Sequence, residues 1–327
     1  MKRTNFTLFT AVFMTVISVS TIANGLADQP NEVSAEESRS SAGKPGLLIL
    51  AHGAGSSWNN PVHQLAEKVT ALNETKKTFH AVTAALLEFA QPDAVAGIET
   101  LEKAGCDRII VVPIFICPTS HTFVDVPAAL GLYSSPQTRR AMKRENGRPA
   151  APHVPVTITP TIGEGDLLDK YVRDEIAALS VNPKEEAVVL ISHGDEGHAG
   201  LINRIMERLL KTACESKGIT VGEYVYCGVG ATYARDVVPA IEDLAKEKKR
   251  VLVVGFYLVS SAKSISQMGS RMSSRSRQGR SSEGAETAPE SRTPLEGIDV
   301  RFSEKGVIEH PEMPNWVLRS ASEVLLP

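Results

Sequence analysis

Neither charge predominates in this chain. Its 35 Lys and Arg stand against 38 Asp and Glu, for a formal net charge of −3 and a pI near 6.3. Polyanion binders carry a cationic footprint, and with no zinc-finger spacing and no aromatic RNA-binding motif either, nucleic acid is not an expected partner. Cysteine is scarce too. Cys106, Cys117, Cys214 and Cys227 include no close CxxC pair, and although four cysteines allow three pairings in an oxidising compartment, a chain of this length holds its core without staples. They are expected to be small buried thiols, with Cys117 singled out only by its place four residues before His121. Beyond the first residues no run is long and apolar enough to span a bilayer. A Gly-x-Ser-x-Gly nucleophile elbow is also missing.

The amino terminus has another character. Lys2 and Arg3 precede a largely apolar run from Phe6 to Ile22, followed by the small residues Ala23 and Ala27, which is the order of an export signal. Thr15, Ser18 and Ser20 interrupt the run, so cleavage near Ala23 or Ala27 is expected rather than an uncleaved anchor. A flexible leader rich in Ser, Glu and Ala follows over 28–45. The mature protein is expected to be exported, periplasmic or extracellular, and free of the membrane.

At 327 residues and 42% apolar content, the remainder exceeds one core, and a soft expectation of about 150 residues per unit gives two domains. Their likeness is visible in the sequence. Leu47-Leu-Ile-Leu-Ala-His52-Gly53 has a counterpart in Val188-Val-Leu-Ile-Ser-His193-Gly194, 141 residues later, and Arg108-Ile-Ile-Val-Val-Pro-Ile-Phe115 in Arg250-Val-Leu-Val-Val-Gly-Phe-Tyr257, 142 residues later. Two matches at nearly one offset argue for a duplicated unit. The expected division is export signal 1–27, leader 28–45, a first half 46–182 carrying the site, and a degenerate second half 183–327 with a flexible insertion at 270–294.

Short β-branched runs near 46–51, 79–87, 108–115 and 154–159 alternate with helical periodicity over 61–72, 92–104, 122–132 and 166–179. The second half repeats this with strands near 187–192, 223–228, 250–257 and 298–302 and helices near 199–215, 235–247 and 312–325. The alternation predicts an α/β fold of two similar Rossmann-like halves, with parallel sheets facing a central cleft and every strand's carboxyl end on one rim. Segment 134–152, with Arg139, Arg140, Lys143, Arg144 and Arg148, reads equally as a disordered loop or as a basic segment over that rim.

Three metal-competent residues fall at strand ends in the first half: His52, Glu88 and His121. His52 precedes Gly53 and Gly55, which would permit a sharp turn. Glu88 interrupts an apolar run, so its carboxylate must face a cleft or find a partner. His121 lies in the polar turn Cys117-Pro-Thr-Ser-His-Thr-Phe-Val-Asp125. His63, His80, His153, His198 and His310 are read as hydrogen-bonded structural groups. Two imidazoles and a carboxylate with open positions suit an ion that is handed on.

Leu48-Ile-Leu-Ala-His52-Gly, Leu87-Glu88-Phe-Ala-Gln-Pro92 and Ile110-Val-Val-Pro113-Ile-Phe, followed by Ser120-His121 and Asp125-Val-Pro127, resemble the sirohydrochlorin chelatases of the CbiX type. The second half follows more loosely, through Ile191-Ser-His193-Gly and His310-Pro311. The resemblance implies two α/β halves across a cleft and a lyase that inserts a divalent ion, Co²⁺ or Fe²⁺ with Ni²⁺ also compatible, into sirohydrochlorin or a related tetrapyrrole. His52 and His121 map to the metal ligands and Glu88 to the family's glutamate. The ion is substrate, and no organic cofactor is implied. Arg139, Arg140, Lys143 and Arg144 would pair with substrate carboxylates. His52 departs from the family in being followed by Gly-Ala-Gly instead of Gly-Ser-Arg.

At the 142-residue offset His121 corresponds to Lys263 and Glu88 to Gly230, so only the first half is expected to hold metal. Oligomeric state stays open, since two fused halves already form a pseudo-symmetric pair. Two alternatives remain: an exported non-catalytic metal or tetrapyrrole carrier, and an α/β-hydrolase read from Leu50-Ala-His52-Gly-Ala-Gly-Ser-Ser-Trp58, for which Ser192-His-Gly-Asp-Glu is a poor elbow.

Overall fold

The computed structural model describes residues 43–87, 90–119, 121–144, 148–230, 232–278 and 295–325. The export signal, almost all of the leader and Glu88 lie outside them. Among the described residues no helix is long and apolar enough to cross a membrane.

Two four-stranded parallel sheets form the frame. The first contains β1 (Pro45–Ala51), β2 (Ala81–Leu86), β3 (Arg108–Pro113) and β4 (Val156–Ile158) in the order β2-β1-β3-β4. The second contains β5 (Glu186–Ser192), β6 (Gly222–Tyr226), β7 (Arg250–Phe256) and β8 (Asp299–Phe302) in the order β6-β5-β7-β8. The inner strands β1 and β5 are buried along their whole length, which is why they read as unbroken apolar runs: helices cover both faces of a parallel sheet.

The helices are α1 (Ser56–Ala71), α2 (Asn73–Thr78), α3 (Ala94–Lys103), α4 (Val126–Ala129), α5 (Pro136–Arg144) and α6 (Leu167–Leu179). They continue with α7 (Ala199–Lys217), α8 (Val238–Ala245), α9 (Ala262–Gln278) and α10 (Met313–Glu323). The stretch expected to be helical over 122–132 is instead a π-helical turn, His121–Asp125, running into α4. A second π turn, Tyr233–Val237, likewise precedes α8. The flexible insertion expected over 270–294 needs correction: α9 runs unbroken to Gln278, and only 279–294 lie outside the described residues. Its cause is local, because Ser261 N donates to Ser264 Oγ at 2.9 Å and Ser264 N to Ser261 Oγ at 3.1 Å, a reciprocal cap that starts a helix despite polar composition. Segment 134–152 contains the helix α5, started by the same exchange between Ser135 and Thr138.

The last helix of each half packs on the other half. α6 lies against α7 and β7, while α10 returns to α1 and β3. Tyr171 of α6 fixes the first crossing, its hydroxyl donating to Gly255 O at 3.0 Å and Lys305 O at 2.9 Å. Ahead of α10 the buried His310 reaches back to Asp174 of α6, with Nε2 and Oδ2 3.1 Å apart. One apolar cluster therefore runs through both halves, taking in Leu47, Ile49, Tyr171, Val254, Trp316 and Val317. Replacing Trp316, which is 3% exposed, with Ala is expected to cost about 3–5 kcal/mol. Denaturant unfolding should show this as a lower midpoint with one cooperative transition for both halves, because the residue belongs to their shared core.

Candidate functional site

Strand order decides which side chains meet. β1 pairs with β2 on one side and β3 on the other, with Leu50 opposite Pro113 and Ile114 N donating to Leu50 O at 2.9 Å. The chain leaves β1 in one direction and returns in the other, so the crevice between the carboxyl ends of β1 and β3 is the point where strand order reverses. Open α/β sheets hold ligands there. His52 is the first residue beyond β1, and His121 opens the π turn beyond β3. Their ring centroids stand 5.3 Å apart with planes inclined at 75°.

Side chains secure the loop carrying His52. Trp58 Nε1 donates to His52 O at 2.9 Å, and Asn59 binds both the N–H of Ala54 at 3.0 Å and its carbonyl at 2.8 Å. The glycines expected to shape this loop do not do so by adopting left-handed backbone: Gly53 and Gly55 are absent from the positive-φ residues, and Gly55 has φ of −72°.

His121 is held from three directions. Thr119 N donates to Thr122 Oγ1 at 2.8 Å, which starts the turn; Phe115 lies beneath the imidazole, 6.1 Å between centroids and 24° from parallel; and Asp125 Oδ2 sits 2.9 Å from Nδ1. With Nδ1 engaged by a carboxylate, Nε2 is the nitrogen this ring would offer an ion. Such a carboxylate fixes the tautomer and raises ligand basicity. Sequence reasoning gave Asp125 no role, although the spacing His121-x-x-x-Asp125 places both groups on one side of a helical turn.

A histidine nitrogen sits about 2.0–2.1 Å from a bound divalent ion, which puts two ring centroids on one ion about 5–6 Å apart. The observed separation falls within that span. Glu88 lies outside the described residues; Leu87, just before it, donates to Ala51 O at 2.7 Å. Among the described residues no group of three or more His, Cys, Asp or Glu side chains is arranged to hold a metal ion. What stands at the crevice is an imidazole pair backed by a carboxylate.

Arg139 and Arg140 are exposed on α5, which also carries Lys143 and Arg144. Leu132 and Tyr133, just before this helix, are half-exposed. The second sheet has the equivalent crevice between β5 and β7 but different chemistry. His193 is exposed and its Nδ1 is 2.9 Å from Gly194 O, while Lys263 pairs with Glu304 at 2.6 Å. Lys263 sits between Ser261 and Ser264 as His121 sits between Thr119 and Thr122.

Of the remaining histidines, His80 meets Ala104 O at 2.9 Å, and His153, His198 and His310 each face a carboxylate. A cavity of about 600 Å³ between α1 and β2 is lined by His63, Glu67, Lys76 and Thr83 among others. It shares no residue with the imidazole pair, and its size alone gives it no claim to the chemistry. Ser192, the serine of the elbow-like stretch, ends β5 at 3% exposure, too buried for a nucleophile.

The chain matches the CbiX family model over residues 46–179. It is 33% identical over 88 residues to a sirohydrochlorin cobaltochelatase of Methanococcus maripaludis, covering 27% of this chain and 58% of that protein. It is 31% identical over 86 residues to the sirohydrochlorin cobaltochelatase of Sulfurisphaera tokodaii, covering 26% of this chain and 67% of that protein. Several relatives, the Methanococcus protein among them, are thus matched over less than two thirds of their length. In fold the chain resembles the sirohydrochlorin chelatase SirB from Bacillus subtilis subspecies spizizenii in complex with cobalt, with a TM-score of 0.55, 14% identity, and coverage of 86% of this chain and 94% of that one.

Two expectations follow from the geometry. Asp125→Asn keeps the shape but loses the anionic partner of His121, and titration with Co²⁺ should show affinity lower by about 10–100-fold. Cys117, 6% exposed, is pushed up to about 12 by burial, so the thiol stays protonated at neutral pH. All four cysteines are free and buried; a thiol reagent at pH 8 should label them only after denaturant is added.

Proposed function

The chain belongs to the CbiX family, and from that premise we propose that it is a chelatase, a lyase that inserts a divalent ion, Co²⁺ or Fe²⁺, into sirohydrochlorin or a related tetrapyrrole. One observation carries the reading: two imidazoles from separate strand ends stand 5.3 Å apart at the reversal point of the first sheet.

The ion is a substrate. His52 and His121 bind it on one face of the macrocycle, with Asp125 holding the His121 ring, and leave positions open for the pyrrole nitrogens. Insertion displaces two pyrrole protons; Glu88 is the proposed acceptor of one, or a transient third ligand while ionised, and the other proton passes to solvent. Neutral or anionic ligands are required because a cation at this point would repel the ion. The exposed Arg139 and Arg140, with Lys143 and Arg144 on the same helix, are assigned to the substrate's carboxylates, which guanidinium groups bind in bidentate fashion.

The matching strand orders and the caps around His121 and Lys263 support descent of the two halves from one duplicated unit, the second now serving as the facing wall. The amino-terminal signal favours action outside the cytoplasm. It also favours a second reading, an exported carrier that binds metal or tetrapyrrole without turnover. A steady-state assay of the mature chain separates them: Co²⁺ insertion into sirohydrochlorin, followed by absorbance, should fall by at least about 100-fold in His52→Ala and His121→Ala. Arg139→Glu/Arg140→Glu should chiefly raise KM. Insertion by either histidine variant at the parent rate would reject the site, and metal binding with no insertion by the parent would favour the carrier.

A further inference from the structure

The π turn that presents His121 also presents Phe123, and Phe123 is out of place on its own half. Its side chain is 55% exposed, the largest apolar group of a turn otherwise made of small or polar residues and one valine. It meets one ring from elsewhere, His198 of the opposite half, with centroids 5.3 Å apart and planes tilted by 31°. His198 stands on firm support. It ends the short helical turn Glu196–His198, which Asp195 caps by accepting from Gly197 N at 2.8 Å, and α7 begins at the next residue. Asp195 Oδ2 also lies 3.4 Å from His198 Nδ1, a nitrogen with no aligned hydrogen bond and almost no exposed surface. The imidazole is therefore held by packing, with Asp195 beside it and the Phe123 ring against it.

A π-helical turn is a rare conformation that recurs at functional sites and needs support from its surroundings. Phe115 supports this one from within its own half, beneath His121. The backbone of Phe123 is held within its own half, its N–H donating to Thr119 O at 3.0 Å, whereas among the described residues the ring that meets its side chain is that of His198. We propose that His198 is a positioning residue: its ring braces Phe123 across the cleft and so holds the turn that carries His121 and Asp125 in the geometry where both imidazoles reach one ion. This inference rests on the metal-binding reading of His52 and His121, and adds that the second half takes part in metal binding without touching the metal. It also gives His198 a role that its neighbour His193, whose Nδ1 faces its own backbone, does not have.

Equilibrium titration of the full mature chain with Co²⁺, read from the ligand-field absorption bands, tests it. An aromatic pair of this kind contributes enough for Phe123→Ala and His198→Ala each to weaken Co²⁺ binding by about three- to tenfold. The double variant should be no weaker than the worse single, since both remove one contact. His198→Phe should restore affinity, because a ring is needed there and a ring nitrogen is not. Unchanged affinity in both alanine variants overturns the proposal, and so does a His198→Phe variant as weak as His198→Ala, which would make the imidazole itself a ligand. Phe123 is exposed, so its replacement reads the contact even if His198→Ala lowers stability. A parent protein that binds no Co²⁺, or that binds it equally well as His52→Ala or His121→Ala, refutes instead the reading of the site on which the inference stands.

Discussion

The parallel pairing of β1 with β3 is the constraint from which the site descends. Backbone hydrogen bonds hold neighbouring strands about 4.8 Å apart, so the residues that leave their carboxyl ends begin as neighbours whatever their distance in sequence. His52 and His121 need only short turns to bring their rings together. The register is protected by packing, because alternate residues of β1 enter different cores: Leu47, Ile49 and Ala51 face the cluster shared by both halves, while Leu48 and Leu50 face the cluster under α3 and α4. A slip by one residue would exchange these sets and move the end of β1 by about 3.3 Å. The rings could not then share an ion.

A second constraint is the exchange of α6 and α10. Two α/β units joined by a linker would rock against each other, and a contact such as Phe123 with His198 would have no fixed value. With each sheet covered partly by a helix from the other half, a single apolar core sets their relation. Tyr171 and His310 act at the crossings as polar pins whose partners lie far away in sequence. The rim of the second sheet is thereby presented to the π turn as a firm surface.

Much of this was legible before any coordinates. The strands were marked by β-branched runs, and their alternation with helices implied parallel sheets whose carboxyl ends share a rim, so His52 and His121 could be named as neighbours in space. Other features were hidden for physical reasons. Composition over 270–278 reads as loop, yet the reciprocal cap at Ser261 and Ser264 and the packing of Gly269 on Tyr233 keep it helical. Gly53 and Gly55 read as permitting a sharp turn, and the loop is held by hydrogen bonds from Trp58 and Asn59. The helix exchange leaves no local mark, since an amphipathic helix shows that it has an apolar face but not which sheet receives it. Phe123 and His198 are 75 residues apart, and no periodicity connects them.

The difference between the halves has a chemical sense on the proposed reading. A macrocycle lying in the cleft has room for one ion, and two intact imidazole sites on opposite walls would place two cations against the same four nitrogens. Lys263 stands at the position equivalent to His121 and carries its own positive charge, balanced by Glu304, whose carboxyl is held below its usual range by that ammonium. While protonated, that ammonium offers no lone pair with which to ligate a second divalent ion at this wall. The wall keeps the skeleton needed for bracing and loses the chemistry that would compete. On that reading, the absence of an equivalent imidazole pair among the described residues of the second half suits a reaction that handles one ion.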